Sequence, residues 1–551
     1  VRALNERHSS HQQDVFHLLH RPRRWNAHDK IWMGWERKRG KLSDFNLWLR
    51  GGARDAFSVI SGDTSALTGV RYVITLDADT VLPPDAAPSL VGAMAHPLNR
   101  AVYDAERGRV VRGYGILQPR VGVSLPSAHR SRFASIASGH PGVDPYSTAV
   151  SDVYQDLYGE GSFTGKGIYD VDAFQLATHG RFPVNTLLSH DLIEGNYARA
   201  GLATDVIVYD DYPTTYLAYT LRKHRWIRGD WQLLPWLRRR VPGPDGPEPN
   251  RLSLLSQWKI LDNLRRSTVE LSQLLFLLAG WTVLPGSTLR WTMLGVGAII
   301  APWVTSLLIA IVQPPFDRSW RAYYGAVAQD ALVSLQQAIV AIVFLPHQAY
   351  TSADAIVRTL YRMFVSKRHM LEWRPASAVE RDIGSAGAET WRMMRATVLL
   401  VAVTALAISA LAIQAQLGAQ THHRVLIMPA LAMWTIVALW LDSARIAARL
   451  SLVVASTRRV LPKSARDEAM RYASVHWRFF ERFVTEATHW LAPDNFQSDP
   501  EPVVAMRTSP TNMGLQLLST VSARDLGFIT TADMVERLDR ALTTFASMRR
   551  Y

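Results

Sequence analysis

Four apolar runs between residues 268 and 441 constrain this chain more than anything else in it. Residues 268–284 (TVELSQLLFLLAGWTVL), 289–312 (LRWTMLGVGAIIAPWVTSLLIAIV), 396–417 (ATVLLVAVTALAISALAIQAQL) and 425–441 (VLIMPALAMWTIVALWL) reach or approach the length of about 20 residues that a bilayer-spanning helix needs. Any one of them alone could be a buried core helix; four together predict a membrane domain. A fifth run, 331–346 (ALVSLQQAIVAIVFLP), carries Gln336 and Gln337, whose amides are costly in lipid. Basic residues crowd 222–240, 358–374 and 445–468, whereas the turn between the first two runs holds only Arg290, and THHR separates the last two. Four spans put all three basic stretches on the cytoplasmic side, as the positive-inside rule demands, provided 331–346 does not cross. Segment 331–374 is therefore expected to form interfacial or re-entrant helices.

The flanks read differently. With 551 residues, two or three units are expected. Only 48% of the residues are hydrophobic, so the membrane portion is local. Residues 1–250 alternate strand-like runs (Phe16–Leu19, Tyr72–Leu76, Val110–Gln118, Ala203–Tyr209) with helical and loop-rich segments, which predicts an α/β domain. The cluster RRRVPGPDGPEPN, 238–250, marks its end, and a membrane domain over 251–450 follows. Residues 451–551 return to soluble, helical character. The chain opens on VRALNERHSS and stops on SMRRY, so a fragment of something longer is expected. Cysteine is absent, which excludes disulfides and thiolate metal sites. A net charge of +14 favours anionic partners, and no recognised nucleic-acid module accompanies it.

Chemistry gathers in the first 250 residues. The run RYVITLDADTVLPP reads as a short buried strand that stops on Asp77 and Asp79, with Pro83 and Pro84 blocking simple continuation. Alternation sends both carboxylates to one side, where a hard divalent cation with diphosphate oxygens would relieve their repulsion. In LLSHDLIEG, Asp191 and Glu194 follow a short apolar run, and either can be a general base. The alternative is a helix start, with Ser189 as cap and Asp191 favoured by the dipole. LRKHRWIRGDWQ supplies Arg222, Arg225, Trp226, Arg228 and Gln232: arginines clamp diphosphates and an indole stacks on a sugar. The alternative there is a juxtamembrane basic patch, which suits Arg238–Arg240. The loop YGEGSFTGKGIYD has four glycines and a lysine but lacks the P-loop pattern; it suits close approach of a sugar, with Gly161 and Ser162 on the acceptor side. WERKRGKL, with Glu36, Arg37, Lys38, Arg39 and Lys41, fits diphosphate or lipid proximity and structural ion pairing equally well.

The order D-x-D, Gly-rich loop, HD, R-x-x-R-W and then membrane spans resembles the processive inverting glycosyltransferases of the cellulose and hyaluronan synthase type. The longer runs WMGWERKRGKLSDFNLWLRGG, SDVYQDLYGEGSFTGKGIYDV, LSHDLIEG and HRWIRGDWQ are similar to the cyclic β-1,2-glucan synthase family. DNFQSDP and RTSPTNMGLQLLSTVSARDLGF are similar to the start of the glycoamylase-like domain that follows the synthase core there.

That resemblance implies a GT-A-type, Rossmann-like domain, incomplete at its N-terminus, followed by an α-helical membrane domain and a partial α-helical soluble domain. It implies a bacterial inner-membrane enzyme with its catalytic part in the cytoplasm, extending a β-1,2-glucan from UDP-glucose. Asp77 and Asp79 would hold Mg²⁺ or Mn²⁺, and Asp191 would deprotonate the acceptor 2-hydroxyl. Arg225 and Arg222 would take the diphosphate, and Trp226 would line the acceptor site. His190 departs from the acidic T-E-D pattern, and Arg222 stands where Gln is common. Alternatives are a synthase of another linkage, or a fragment incompetent without the preceding nucleotide-binding strands.

Overall fold

The computed structural model describes residues 1–8, 14–52, 54–138, 149–312, 319–373, 387–418, 427–454 and 462–548. Two compact units are present, Val1–Val454 and Ala455–Tyr551. The Pro/Gly cluster is not a boundary between units. It folds into a small hairpin, Arg240–Pro242 against Pro247–Pro249, inside the first. Proline and glycine turn a chain sharply without ending the core on either side of it.

A four-stranded sheet organises the N-terminal half of that unit: β1 Tyr72–Thr75, β2 Ile116–Val123, β3 Gly167–Asp170 and β4 Ala200–Asp210. Their spatial order is β4-β2-β3-β1, with β4 and β2 parallel and β3 antiparallel to both its neighbours. The fold is thus mixed α/β. The expected run Phe16–Leu19 overlaps a strand, Leu18–His20, in a separate two-stranded pair with Val59–Ser61, and Val110–Gln118 splits between Arg109–Arg112 and β2. β1 is an edge strand with only Thr75 fully buried, so the buried strand expected there is half-buried instead.

Strand direction decides which loops meet. Because β3 runs against β1, with Thr75 opposite Gly167, the residue entering β3 (Lys166) lies beside the chain leaving β1 (Asp77). Backbone bonds in both directions between Val81 and Tyr209 fold the 77–80 turn onto the end of β4. Ile168 and Leu117 pack on Leu90 and Met94 of helix Ala86–Ala95 on one face. Tyr169, Phe174, Ile193 and Trp236 fill a larger core on the other. Tyr169 donates a buried 2.8 Å hydrogen bond to Asn46.

Among the described residues, three helices are long and apolar enough to cross a membrane: Thr288–Val312, Tyr323–Ser366 and Gly387–Ala410. A bent pair, Leu431–Leu441 with Ser443–Leu450, meets the same test if it counts as one span. The run 268–284 forms a shorter apolar helix, Val269–Thr282, and residues 425–426 lie outside the described residues. Residues 331–346, expected to be interfacial or re-entrant and not to cross, belong to one continuous helix, Trp320–Tyr361. Gln337 tolerates this setting because protein satisfies its amide: it donates to the Ile136 carbonyl and accepts from the Trp303 indole, each at 2.9 Å. This long helix is welded to the sheet domain, with Tyr216 stacked on Phe344 at 3.9 Å between ring centres.

The second unit holds helices Lys463–Phe483, Pro510–Asp525 and Thr531–Ser547 with a two-residue hairpin, which matches the helical tail read from the sequence.

Candidate functional site

Asp77 leaves the end of β1 and meets two lysines. Lys38, near the start of helix Arg37–Leu49, donates to Asp77 Oδ1 at 2.7 Å, and Lys166 lies 3.0 Å from Oδ2. Lys166 also reaches Asp210 Oδ2 at 2.8 Å, where β4 ends, and Thr80 donates to the other Asp210 oxygen at 2.7 Å. Burial alone would raise the Asp77 pKa, but Lys166 and then Lys38 outweigh it and hold the carboxyl down at about 2. The same two acids raise the Lys166 pKa against its own burial. Asp79 is exposed and makes no hydrogen bond or ion pair among the described residues. Carboxylate oxygens are the ligand type a hard divalent cation such as Mg²⁺ or Mn²⁺ takes. Asp79 is available for one, whereas each oxygen of Asp77 faces an ammonium.

These pairs carry a pH signature. A carboxyl depressed from 3.8 to about 2 adds stability that is complete above 3.8 and is lost as pH falls through 2. With 40% of the Asp77 side chain exposed, solvent screening limits this to on the order of 1 kcal/mol. The thermal midpoint of the protein should therefore exceed that of Asp77→Asn by a constant margin above pH 4, and the margin should shrink below it. A margin independent of acid pH would contradict the pairing.

Asp191 is the first residue of helix Asp191–Ala198, and His190, not Ser189, occupies the cap without a side-chain capping bond. The helix-start reading is thus right about Asp191's position and wrong about its cap. His190 turns its Nδ1 to Glu194 at 2.7 Å, so the ring is unable to cap. Burial lowers the His190 pKa, but Glu194 and Asp191 together raise it. Asp191 Oδ1, 3.7 Å from the same nitrogen, has no hydrogen-bond partner. These three side chains form the one His/Asp/Glu cluster with metal-like spacing among the described residues. Its imidazole nitrogen is already engaged by Glu194, and Glu194 is only 2% exposed, so Asp191 alone faces outward.

Gly165 joins the two acid sites. Its carbonyl accepts from Lys38 at 2.7 Å, and a Cβ there would stand 2.7 Å from Asp191 Oδ1. Its φ of +91° also suits glycine alone.

Helix Tyr216–Gln232 carries the arginines. Gly229 lets it approach Ser189 closely, and Gln232 accepts from the Leu188 amide at 2.6 Å, fixing it to the segment that ends in Asp191. Arg225 is largely buried, and burial, followed by Arg222, lowers its pKa while Asp77, Asp191 and Asp79 raise it. All three sequence-predicted acids therefore lie within electrostatic reach of one guanidinium. That guanidinium has no hydrogen bond or ion pair among the described residues, and it lies 5.9 Å from the Trp373 ring. Arg222 stacks on Tyr212 and Trp226, at 5.3 and 4.9 Å, leaving its Nε unpartnered. Trp226 is 39% exposed beside it.

Other expectations land elsewhere. Ser162 is 2% exposed, and Gly161 is clamped between the Ala200 carbonyl of β4 and the Lys259 ammonium, so neither is open to a sugar. Arg228 binds the Glu372 carbonyl. Within WERKRGKL, Glu36 pairs with Arg39 and Arg37 donates to the Leu371 carbonyl, so structural pairing and the lysine on Asp77 share that segment. Sequence reasoning missed Asp210, an acid at a strand end like Asp77. It also missed residues 369–373, whose backbone and rings meet Asp29, Arg37, Arg225, Arg228 and Gln232.

No family model matches the chain. Over 555 aligned residues, covering 100% of the chain, it is 41% identical to the curated "Cyclic beta-(1,2)-glucan synthase NdvB" of Rhizobium meliloti (strain 1021). The chain spans 19% of that relative's length.

Proposed function

From the kinship of this chain, end to end, with a segment of a cyclic β-(1,2)-glucan synthase, we propose that it carries the sugar-transfer portion of such an enzyme. The reading is of a membrane-bound inverting glucosyltransferase, GT-A-type in its sheet domain, that extends a β-1,2-glucan from UDP-glucose. One observation carries it: the guanidinium of Arg225, with no hydrogen bond or ion pair among the described residues, feels the charges of Asp77, Asp191 and Asp79. A partly buried cation without a counter-charge bonded to it suits an anionic ligand, and a diphosphate is the anion that carboxylate-held Mg²⁺ or Mn²⁺ would share.

Asp77 and Asp79 would hold that cation, which supplies charge to offset the departing UDP. Arg225, with Arg222 behind it, binds the diphosphate. Asp191 accepts the proton of the acceptor's 2-hydroxyl. The freed oxygen pair bonds to the donor's anomeric carbon as the carbon–oxygen bond to UDP breaks, with its electrons leaving on UDP. Attack opposite the leaving group turns α into β, and orientation supplies much of the rate. Trp226 offers an indole face to the growing glucan. The basic stretches flanking the apolar helices support a cytoplasmic catalytic half at a bacterial inner membrane.

Full-length protein in native membranes, given UDP-[¹⁴C]glucose and Mg²⁺, should yield a labelled glucan that methylation analysis reports as 2-linked. No labelled glucan, or a 4-linked one, would refute this function.

A further inference from the structure

Lys166 stands where the donor site just proposed would take its cation. Its ammonium is shared between Asp77 Oδ2 and Asp210 Oδ2, and Lys38 holds the remaining oxygen of Asp77. Only 12% of the Lys166 side chain is exposed. Glycines flank it, Gly165 at φ +91° and Gly167 at φ +144°, and a Cβ on Gly167 would stand 2.3 Å from the Leu117 carbonyl. Thr80 fixes Asp210 from the far side. A side chain so placed by three independent elements is built into the site.

Its charge has a consequence for binding. Like charges held a few ångströms apart repel more strongly at a partly desolvated protein surface than in bulk water. A divalent cation arriving alone on Asp77 faces that repulsion from two ammonium groups, and Lys166 displaced from Asp77 gains no new acceptor. A diphosphate changes the balance, because its oxygens receive the displaced ammonium.

We propose that Lys166 is the resident counter-ion of this site: it neutralises Asp77 and Asp210 while the site is empty and moves to the phosphate oxygens of an arriving nucleoside diphosphate, so that a divalent cation and the nucleotide bind together and neither binds well alone. The inference rests on the donor-site reading of Asp77 and Asp79.

Mn²⁺ binding to the full-length protein, followed by electron paramagnetic resonance with and without UDP, tests it without requiring turnover. In the wild type, UDP should tighten Mn²⁺ at least tenfold, and by linkage Mn²⁺ should tighten UDP equally. Lys166→Met should move the two measurements in opposite directions: Mn²⁺ alone binds at least tenfold tighter, and UDP with Mn²⁺ at least tenfold weaker. Lys166→Arg, which keeps the charge and guards against a folding defect in the methionine variant, should hold both within about threefold of wild type. Lys166→Met weakening both, or moving neither, overturns the proposal. Asp77→Asn separates the two readings. If it leaves Mn²⁺·UDP binding intact, the donor site itself is wrong. If it abolishes that binding while Lys166→Met changes nothing, only the counter-ion role fails.

Discussion

Asp191→Asn should lower the rate of glucan extension by about 10² to 10⁴-fold, the range a positioned general base supplies, while leaving UDP binding within a few-fold of wild type. The expectation follows from which carboxylate can reach a substrate. The Asp191 side chain is 25% exposed at the first turn of its helix, with Oδ1 buried and unpartnered beside Gly165, and it lies within the field of Arg225. Glu194, three residues on, is 2% exposed and bound to His190 at 2.7 Å. Glu194→Gln should therefore behave in another way. It removes the carboxylate that the buried His190 ring bonds at 2.7 Å and should cost stability, about 1–3 kcal/mol for a disrupted buried hydrogen bond. The molecules that do fold should keep most of their turnover. Rates normalised to folded protein would distinguish the two acids. Equal losses in both variants, or a full rate in Asp191→Asn, would remove Asp191 from the role of base.

The second large effect is one of stability. Lys259 lies on helix Leu254–Ser267, is 2% exposed, and donates to the Gly161 carbonyl at 2.8 Å with Glu160 3.5 Å away. It ties the glycine-rich loop to the helix that precedes the apolar segments. Lys259→Met keeps the volume but orphans a buried carbonyl and half of a buried ion pair, a loss of about 3 kcal/mol. Arg199, which also contacts Glu160, limits the damage. The alkaline side gives a second readout. Burial, more than Glu160 can offset, lowers the Lys259 pKa below the ordinary 10.5. The unfolded chain then binds more protons there, so wild-type stability should rise with pH up to 10.5, and the variant should lack this rise. An unfolding midpoint for Lys259→Met equal to wild type would show that the loop is held by something else.

Asp77, Asp191, Arg225 and Trp226 were legible as single residues because each follows a local rule: an acid ending a strand, an acid opening a helix, arginine and indole alternating on one helix. Their juxtaposition was not legible. One of the two partners of Asp77 is 89 positions away in Lys166, and the antiparallel register of Thr75 opposite Gly167 brings them together. Gly161 and Ser162 misled for the converse reason: composition marks a loop as permissive but does not say which of its residues turn inward, and here Lys259 holds that stretch down.

The apolar runs, the basic stretches and the motif order were determined by sequence alone, because hydrophobicity, charge and chemical type belong to residues wherever they lie. Tertiary structure decided that Asp79 is free, that Lys38 and Lys166 pair with Asp77, and that residues 331–346 join one long helix, since Gln337 finds its partners in Ile136 and Trp303. Those outcomes depend on pairing across many residues of chain, where geometry, not composition, sets whether a polar group meets a partner or is left open.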